Sequence, residues 1–574
     1  MLSITELSEK SLPEAIQNVI TNSPTVELEL IEWISEFCAR QVVAQAGESH
    51  ELVLLKQRVD WKAIAQACQG YRLYAGKQGV EAQHTLQQLC LGIIVKQYYD
   101  WSYETTARQV QRDGLLRWFV GYRLNERSFS SVTLWRFDDW LKEHHPRLLF
   151  TKTLQMIDED FPEERTAPQV GDTYAMLARA APQSHTVLLR MTAKQVLSAL
   201  EQVSADASEV VHSCFALETL FGASDETPER FMQKPERDAL EVQTALAAHH
   251  LLRLVQEAYA ALPRSRDCCH LALERRLTQL HKVLNDEFTF VLDEQSVCVQ
   301  ASQRSKHEKG VYAIGSAVDP EATFRQHRNR NDFCYNIGID ATKRFIRETS
   351  ATTGATPDSK LVAPGIEAQK QHLGLTPPKL IYDRAAGTAK IYAEVEQASG
   401  GQTQLVARLV DHSQTDGRFG PQDCTLSEEG RLSCPAGQST TRAYRSGSGN
   451  GWNYRFSGEQ CKECPLWQKC RKADASPNGV RSFFISDYVY QQRKSLLYLS
   501  TESFKQDMKL RPGVERVISC LVRYHGARHA DGYGLLNADY QARNAAMAFN
   551  LSQWVRLTNE RRNPKRSRRK DEAP

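Results

Sequence analysis

Phe333-Cys-Tyr-Asn-Ile-Gly-Ile-Asp-Ala-Thr-Lys-Arg-Phe-Ile-Arg-Glu-Thr-Ser-Ala-Thr-Thr353 is rich in aromatic and β-branched residues and is interrupted near its middle by polar ones. This composition predicts two strands, Phe333–Ile339 and Phe345–Thr353, joined by a short turn. A helix around Ile366–Leu373 is expected to follow. Pro377-Pro-Lys-Leu-Ile-Tyr-Asp383 then predicts a strand that ends in an aspartate. Strand, strand, helix and strand in this order indicate an α/β fold.

Acidic residues occupy three comparable places in this pattern. Asp383 closes the last predicted strand, and Asp172 follows another short apolar run, Gln169-Val-Gly-Asp172. Because side chains at the carboxyl ends of strands converge at the ligand-binding edge of an α/β sheet, the two aspartates are expected to meet there. Glu515 stands near the start of a predicted amphipathic helix, and that helix could pack on the sheet and aim its glutamate at the same edge. The apolar stripe of the helix consists of Val514, Val517, Ile518, Leu521 and Val522.

Three carboxylates crowded at one edge would repel each other unless cations neutralised them. Hard oxygen ligands select magnesium or manganese. Two such ions can activate an attacking oxygen and stabilise a leaving oxygen in phosphoryl transfer. The residues therefore suit a site that cuts and rejoins a phosphodiester. Paired carboxylates also serve glycoside hydrolases, but the chain has a basic tail and lacks an aromatic-rich sugar groove.

The spacing of apolar residues before Asp172 predicts helices. Residues 1–50 suggest a helical lead-in and residues 51–150 a helix-rich unit. Short helices joined by tight turns suit a helix-turn-helix DNA reader, and they equally suit a helical bundle. If the unit binds DNA, the predicted helix Val132–Glu143, which carries Arg136 and can be capped by Ser130 or Ser131, is expected to lie nearest to it. Residues 186 to about 290 again fit the helical period, within a helical insertion expected to extend to about residue 300, whereas residues 400–485 predict a loop-rich insertion.

Length and charge limit the possible function classes. A chain of 574 residues suggests several domains. It has no run of about 18 apolar residues and begins with a polar, acidic segment, so a cytoplasmic location is expected. The formal net charge of +3 does not by itself indicate nucleic-acid binding. The C-terminal tail, predicted to be disordered over residues 556–574, is either a solvated end or an arm that neutralises DNA phosphates. Its cations include Arg561, Arg562, Lys565 and Arg566.

Cysteines cluster in the loop-rich insertion. The chain has 14 cysteines, and without a secretory signal they indicate reduced thiols or metal ligands and not disulfides. Cys434 precedes the pair Cys461-x2-Cys464, and Cys470 follows six residues later. Four thiolates on loop-rich backbone could hold a tetrahedral zinc ion. The alternative is four unligated thiols, and Cys424 is the weaker candidate for a ligand.

The sequence resembles insertion-sequence transposases of the Asp-Asp-Glu type, which have an RNase H-like catalytic core. The most telling stretch is Arg511-Pro-Gly-Val-Glu515-Arg-Val-Ile-Ser519. Many relatives carry an arginine four positions before the catalytic glutamate, which matches Arg511 and Glu515. Val170-Gly-Asp172-Thr and Leu380-Ile-Tyr-Asp383-Arg-Ala look like the segments that bear the two aspartates. A family tyrosine that often precedes the arginine by three positions is Met508 here, which puts the role of that tyrosine in doubt.

The resemblance implies an α/β fold in which an all-α DNA-binding domain, residues 51–150, precedes an RNase H-like mixed-sheet catalytic domain, residues 165–555. It further implies that Asp172, Asp383 and Glu515 bind magnesium or manganese. The expected partners are double-stranded DNA, as terminal inverted repeats and target, and further copies of the chain on the nucleoid. Arg511 could hold the glutamate or a phosphate, or it could form an ion pair without a catalytic role. Two alternatives stay open: an inactive DNA-binding descendant of a transposase, and a nuclease that cuts without joining.

Overall fold

The computed structural model describes residues 24–71, 83–123, 125–222, 226–293, 298–305, 307–327, 329–409, 417–447, 449–472, 474–476 and 478–562. Lys565 and Arg566, which the sequence suggests as DNA contacts, lie outside the described residues. Helices and strands are both abundant, so the predicted mixed α/β class is confirmed. Among the described residues, no helix combines the length and apolar character needed to cross a bilayer.

Helices precede the first strand. Ser130 caps α7 by accepting a hydrogen bond from the backbone N–H of Thr133, as its position before a helical period predicts. The helix extends one residue beyond each predicted end. The bounds are α1 Pro24–Ala46, α2 Glu51–Arg58, α3 Trp61–Ala67, α4 Leu86–Tyr98, α5 Tyr103–Arg112, α6 Gly114–Val120, α7 Ser131–His144 and α8 Leu148–Asp160, followed by a 3-10 turn at Pro162–Arg165.

A mixed sheet forms the centre of the molecule. Strand β1 is flanked by β5 on one side and β7 on the other, and the sheet order is β4-β5-β1-β7-β8, with β6 also paired to β5. The β4, β5, β6 and β1 pairings are antiparallel, whereas β7 runs parallel to β1 and β8 parallel to β7. The predicted hairpin is therefore the β5–β6 pair. The bounds are β1 Gln169–Leu177, β4 Thr323–His327, β5 Arg330–Ala341, β6 Ile346–Thr353, β7 Lys379–Ile381 and β8 Gln404–Val406.

Both aspartates were predicted at the carboxyl ends of strands, and neither lies there. The apolar segment from Gln169 to Met176 forms β1, but Asp172 lies within this strand, because β5 stays paired with it from Val170 to Leu177. Strand β7 ends at Ile381, two residues before Asp383, which instead accepts a hydrogen bond from the N–H of Ala385 and so starts a 3-10 turn at Arg384–Ala386. Helices α14 Val362–Leu373 and α15 Ala389–Ser399, and a 3-10 turn at Asp358–Leu361, complete this part of the chain.

A helical segment with its own apolar core separates β1 from the next strands. The helices end at Glu287, close to the predicted end at about residue 290. Phe-Thr-Phe-Val-Leu from Phe288 then forms a strand paired with residues 298–303, so the insertion is not helical throughout. The bounds are α9 His185–Val203, α10 Ala205–Cys214, α11 Glu218–Phe221, α12 Lys234–Ala260, α13 Cys268–Glu287, β2 Phe288–Leu292 and β3 Cys298–Gln303, with a 3-10 turn at Glu229–Phe231.

The cysteine-bearing segment contains two small antiparallel sheets around a core of six buried apolar residues. Loops nevertheless connect most of its elements. The bounds are β9 Thr425–Leu426, β10 Leu432–Ser433, β11 Ser439–Thr440, β12 Ala443–Arg445, β13 Gly451–Phe456, α16 Gly458–Lys462, α17 Trp467–Cys470 and β14 Arg481–Ser486, preceded by a 3-10 turn at Pro421–Asp423.

Four helices close the chain, and the last is much longer than predicted. They are α18 Val489–Leu499, α19 Glu502–Met508, α20 Pro512–Tyr524 and α21 Leu535–Arg562. The predicted disordered tail from residue 556 is therefore wrong up to Arg562. The end of α21 is stabilised by an ion pair of Arg556 with Glu560, one turn on, and by the guanidinium of Arg561, 3.9 Å from the ring centre of Phe161.

One apolar core joins the N-terminal helices, the central sheet and α21. Tyr103 of α5 and Tyr540 of α21 both donate hydrogen bonds to the buried carboxylate of Asp138 in α7. The side-chain amide of Asn550 in α21 makes two hydrogen bonds of 2.8 Å with the backbone of Ile346 in β6. Its oxygen accepts from the N–H, and its NH2 group donates to the carbonyl. Because α21 contacts both the helices before β1 and the central sheet, these helices and the sheet form one packed unit.

Candidate active site

Asp172 of β1 lies near Asp383, which follows the neighbouring parallel strand β7. The register pairs Gln169 with Leu380 and Val170 with Ile381. Each aspartate stands two residues after the paired Val170 and Ile381, Asp172 still within β1 and Asp383 just beyond the end of β7. The charge of Asp383 helps to raise the pKa of Asp172, although the largest cause of that raised pKa is burial. The structure therefore brings together the two aspartates that the sequence predicts at one edge.

Close packing behind Asp172 fixes this arrangement. A Cβ atom at Gly171 would lie 1.9 Å from Cε2 of Tyr382, so only glycine leaves room for that ring. The Tyr382 hydroxyl donates a hydrogen bond of 2.8 Å to Oδ1 of Asp340, a carboxyl whose burial raises its pKa to about 7. Tyr382 directly precedes Asp383, so the buried ring holds the backbone that carries the second aspartate.

Local hydrogen bonds orient both carboxylates. Oδ1 of Asp172 accepts a bond of 2.8 Å from the N–H of Thr173, and this bond partly offsets the burial that raises the pKa of Asp172. Oδ1 of Asp383 accepts a bond of the same length from the N–H of Ala385. Neither side chain is fully buried, so both remain accessible from solvent.

Asp358 is a third acid beside the pair, and the sequence reasoning missed it. Its charge contributes to the raised pKa of Asp172. Asn336 donates a 2.9 Å hydrogen bond to Asp358, and Arg325 bridges Asp358 at 3.3 Å and the hydroxyl of Thr173 at 2.8 Å. The available signal was an aspartate in Thr-Pro-Asp358, five residues after the end of the predicted strand that became β6.

Helix α20 brings Arg511 and Glu515 to the same part of the sheet. Its buried residues Val514, Val517 and Leu521 face the interior, and the helix packs against β1. Arg511 directly precedes the helix, and its positive charge lowers the pKa of Asp172 against the effect of burial. Nε of Arg511 is buried and has no hydrogen-bond partner within the described part of the chain. Glu515, one turn further on, is exposed in the first turn of the helix.

The acids are not gathered as tightly as a bound ion would require. Within the described residues, no three His, Cys, Asp or Glu side chains are close enough to share one metal ion. The oxygen donors of Asp172, Asp383 and Glu515 fit magnesium or manganese by type. Glu515 is the exposed member of the three.

The four predicted thiols line one small cavity. Cys434, Cys461, Cys464 and Cys470 are among the residues that line about 30 Å³, too little for an organic ligand, but as placed no three of these thiols are close enough to share one metal ion. Cys424, the weaker candidate in the sequence, is 2% exposed and belongs to the same small core as three of them.

The predicted DNA contacts are scattered. Arg136 is exposed on α7. Arg561 donates a 2.9 Å hydrogen bond to the carbonyl of Asp160, and Arg562 donates one of 3.3 Å to the carbonyl of Glu48. These two arginines therefore fasten the end of α21 to the body of the protein.

Comparison with known families covers both ends of the chain. Residues 433–555, which include Arg511 and Glu515, match a family model described as a transposase DDE domain. Residues 41–140, which include most of α7, match one described as a transposase domain, DUF772. No match was found among curated proteins or solved structures. The two matches, which flank the aspartate pair, support an insertion-sequence transposase of the DDE type.

Proposed function

We propose that this protein cleaves the ends of an insertion element and joins them to target DNA by metal-dependent phosphoryl transfer. The observation that carries the proposal is the proximity of Asp172 in β1 to Asp383 just after the adjacent parallel strand β7, with the helix that bears Glu515 packed against β1. A two-metal site needs several carboxylates from separate elements, and Glu515 would complete the aspartate pair. A mixed sheet with parallel strands on one side of β1 and antiparallel strands on the other supports an RNase H-like core.

Asp172, Asp383 and Glu515 would hold magnesium or manganese. When bound, the ions would activate the attacking oxygen and stabilise the leaving oxygen of an in-line displacement. Burial raises the pKa of Asp172 and so favours its neutral form. The positive charge of Arg511 lowers that pKa and favours the ionised form, which can bind a metal ion. Arg325 and Asn336 hold Asp358 beside the pair, which adds to the negative charge that attracts cations.

The test is cleavage of a DNA fragment that carries the ends of the element, with magnesium or manganese present. Wild-type protein is compared with Asp172→Asn, Asp383→Asn and Glu515→Gln. We expect nicks at the ends with the wild type, and binding without cutting for each variant. A wild type that binds without cutting in either metal would favour an inactive DNA-binding descendant. Cutting without strand transfer into a plasmid would favour a nuclease.

Double-stranded DNA is the proposed partner, bound in part by the helices before β1. Helix α7 exposes Val132, Trp135 and Arg136 on the side away from its buried residues. Charge reversal at Arg136 is expected to weaken binding, and unchanged binding would exclude α7 as the DNA-contacting helix. Since two element ends must be held together, we also propose that the protein acts as a homo-oligomer on DNA.

A structural zinc ion in the cysteine-bearing segment is a further part of the proposal. Thiolates are the ligands that structural zinc prefers, and Cys434, Cys461, Cys464 and Cys470 share one cavity. The surrounding core is small, as in domains that depend on a metal for stability. Elemental analysis of purified protein should find one zinc per chain and its loss in Cys461→Ser. A zinc-free wild type would leave the cluster as free thiols.

A further inference from the structure

A cleft on the far side of α20 from Arg511 carries a concentration of positive charge. It has a volume of about 540 Å³ and lies between the β5–β6 turn and the start of α20. We call it the basic cleft and define it by four cations, Lys343, Arg344, Lys509 and Arg516. Apolar side chains, among them Val170, Val514 and Phe549, form its floor.

The basic cleft and the acidic site share one helix but use different flanks of it. An α-helix turns about 100° per residue, so Gly513, Arg516 and Cys520 point to one flank. Arg511 and Glu515, four residues apart, point to another. The first group lines the cleft, whereas Arg511 acts on Asp172. A ligand in the cleft would therefore lie across α20 from Arg511 and Glu515. It would also contact β1 at Val170, two residues before Asp172.

Three of the four cations of the basic cleft form no ion pair with the described residues. Arg344 pairs with Glu163 at 2.8 Å and with Glu164 at 3.4 Å. Glu164 also lines the cleft, but it is buried and accepts a hydrogen bond from Thr342. Lys343, Lys509 and Arg516 are exposed, and none of the ion pairs found among the described residues includes them. Three cations thus face solvent in one cleft of a chain whose formal net charge is only +3.

The spread of these cations suits a polyanion. Lys343 projects from a strand turn, Lys509 precedes α20 and Arg516 lies in its second turn, so they come from opposite walls of the cleft. A DNA duplex carries one negative charge per about 1.7 Å of its axis, and lysine and arginine bind it by neutralising phosphates. The one carboxylate in the lining, Glu164, is buried, pairs with Arg344 and accepts a hydrogen bond from Thr342.

We propose that the basic cleft binds the phosphate backbone of duplex DNA next to the cleavage site. This inference rests on the proposed function, since it takes DNA to be the substrate of the neighbouring acids. The contacts are with phosphates and not bases, so they fix the position of the duplex and carry no sequence preference.

The test is the salt dependence of DNA binding by the full chain. A short fluorescent duplex carrying one element end is titrated with wild type and with the triple variant Lys343→Gln, Lys509→Gln, Arg516→Gln at several salt concentrations. Each phosphate contact contributes about 0.9 to the slope of log K against log salt, so the triple variant should lower the slope by about 2.7. Lys194→Gln, at an exposed site on α9, is the matched control and should leave the slope unchanged.

A second measurement does not depend on the fold of the variants. Acetylation of Lys343 and Lys509 in the wild type should become slower when the duplex is added, whereas acetylation of Lys194 should not. A wild type that cuts DNA, combined with an unchanged slope and unprotected lysines, would overturn the inference and leave the proposed function intact. A wild type that neither binds nor cuts the duplex would refute both.

Discussion

Replacing Gly171 with alanine should disable the aspartate pair by displacing Tyr382. The new Cβ would lie 1.9 Å from Cε2 and 2.1 Å from Cζ of Tyr382, and 2.5 Å from Oδ1 of Asp340. Since carbon atoms in contact normally stay about 3.5–4.0 Å apart, the ring or the strand must move by roughly 1.5 Å. The ring has no free space to enter, because Tyr382 is 3% exposed.

The expected cost has two parts. Overpacking of this size destabilises a protein by about 1–3 kcal/mol. The cleavage rate should fall further, because the displaced Tyr382 adjoins Asp383, and a misplacement of about 1 Å at a reacting group can reduce the rate by roughly 10²-fold. The assay is single-turnover cleavage of end-containing DNA with magnesium, together with the melting temperature of the same preparation.

Gly338→Ala is the matched control. Gly338 lies in β5 of the same sheet, where the nearest atom to a new Cβ is Cβ of Leu361, at 3.4 Å, an ordinary contact. This variant should keep nearly the wild-type rate and melting temperature. If Gly171→Ala behaved like Gly338→Ala in both measurements, the argument that Tyr382 positions Asp383 would be refuted.

Further predictions concern charge, buried pairing and metal. In Arg511→Gln the pKa of Asp172 should rise further, because a positive charge that favours its ionised form is lost. The acidic limb of the pH profile of cleavage should therefore move to higher pH, and an unshifted profile would contradict this. Asp158→Asn should cost about 3–5 kcal/mol, since it leaves the fully buried Arg347 without its partner at 2.7 Å, and a melting temperature within a degree of wild type would count against it. Removal of divalent ions with a chelator should abolish cleavage and leave DNA binding, with activity restored by magnesium.

Local patterns in the sequence determined much of the molecule. The hairpin of β5 and β6, the capped helix α7 and the amphipathic helix α20 follow from the alternation and periodicity of apolar residues, which depend only on neighbours in the chain. The family resemblance around Glu515 rests on a short motif in the same way, and the match of residues 433–555 to a transposase domain agrees with it. Roles for Asp172, Asp383 and Glu515 remain predictions.

Long-range pairing decided what local patterns could not. Periodicity tells which side of a strand or helix is buried but not which partner covers it. Asp172 and Asp383 became neighbours only because β7 pairs with β1 across about 200 residues of sequence. Asp358 joins the pair for the same reason, through Arg325 and Asn336 on other strands.

The length of α21 also depends on contacts with residues that are distant in the sequence. Its last turns carry many charged residues, which by composition favour a disordered tail, yet docking on Phe161 and the backbone of Asp160 keeps them helical. The basic cleft also exists only in the folded chain, because the strand turn with Lys343 and the helix with Arg516 are far apart in sequence and meet on β1. The sequence thus supplied the chemical groups and the local elements, and tertiary packing alone decided which of those groups became neighbours.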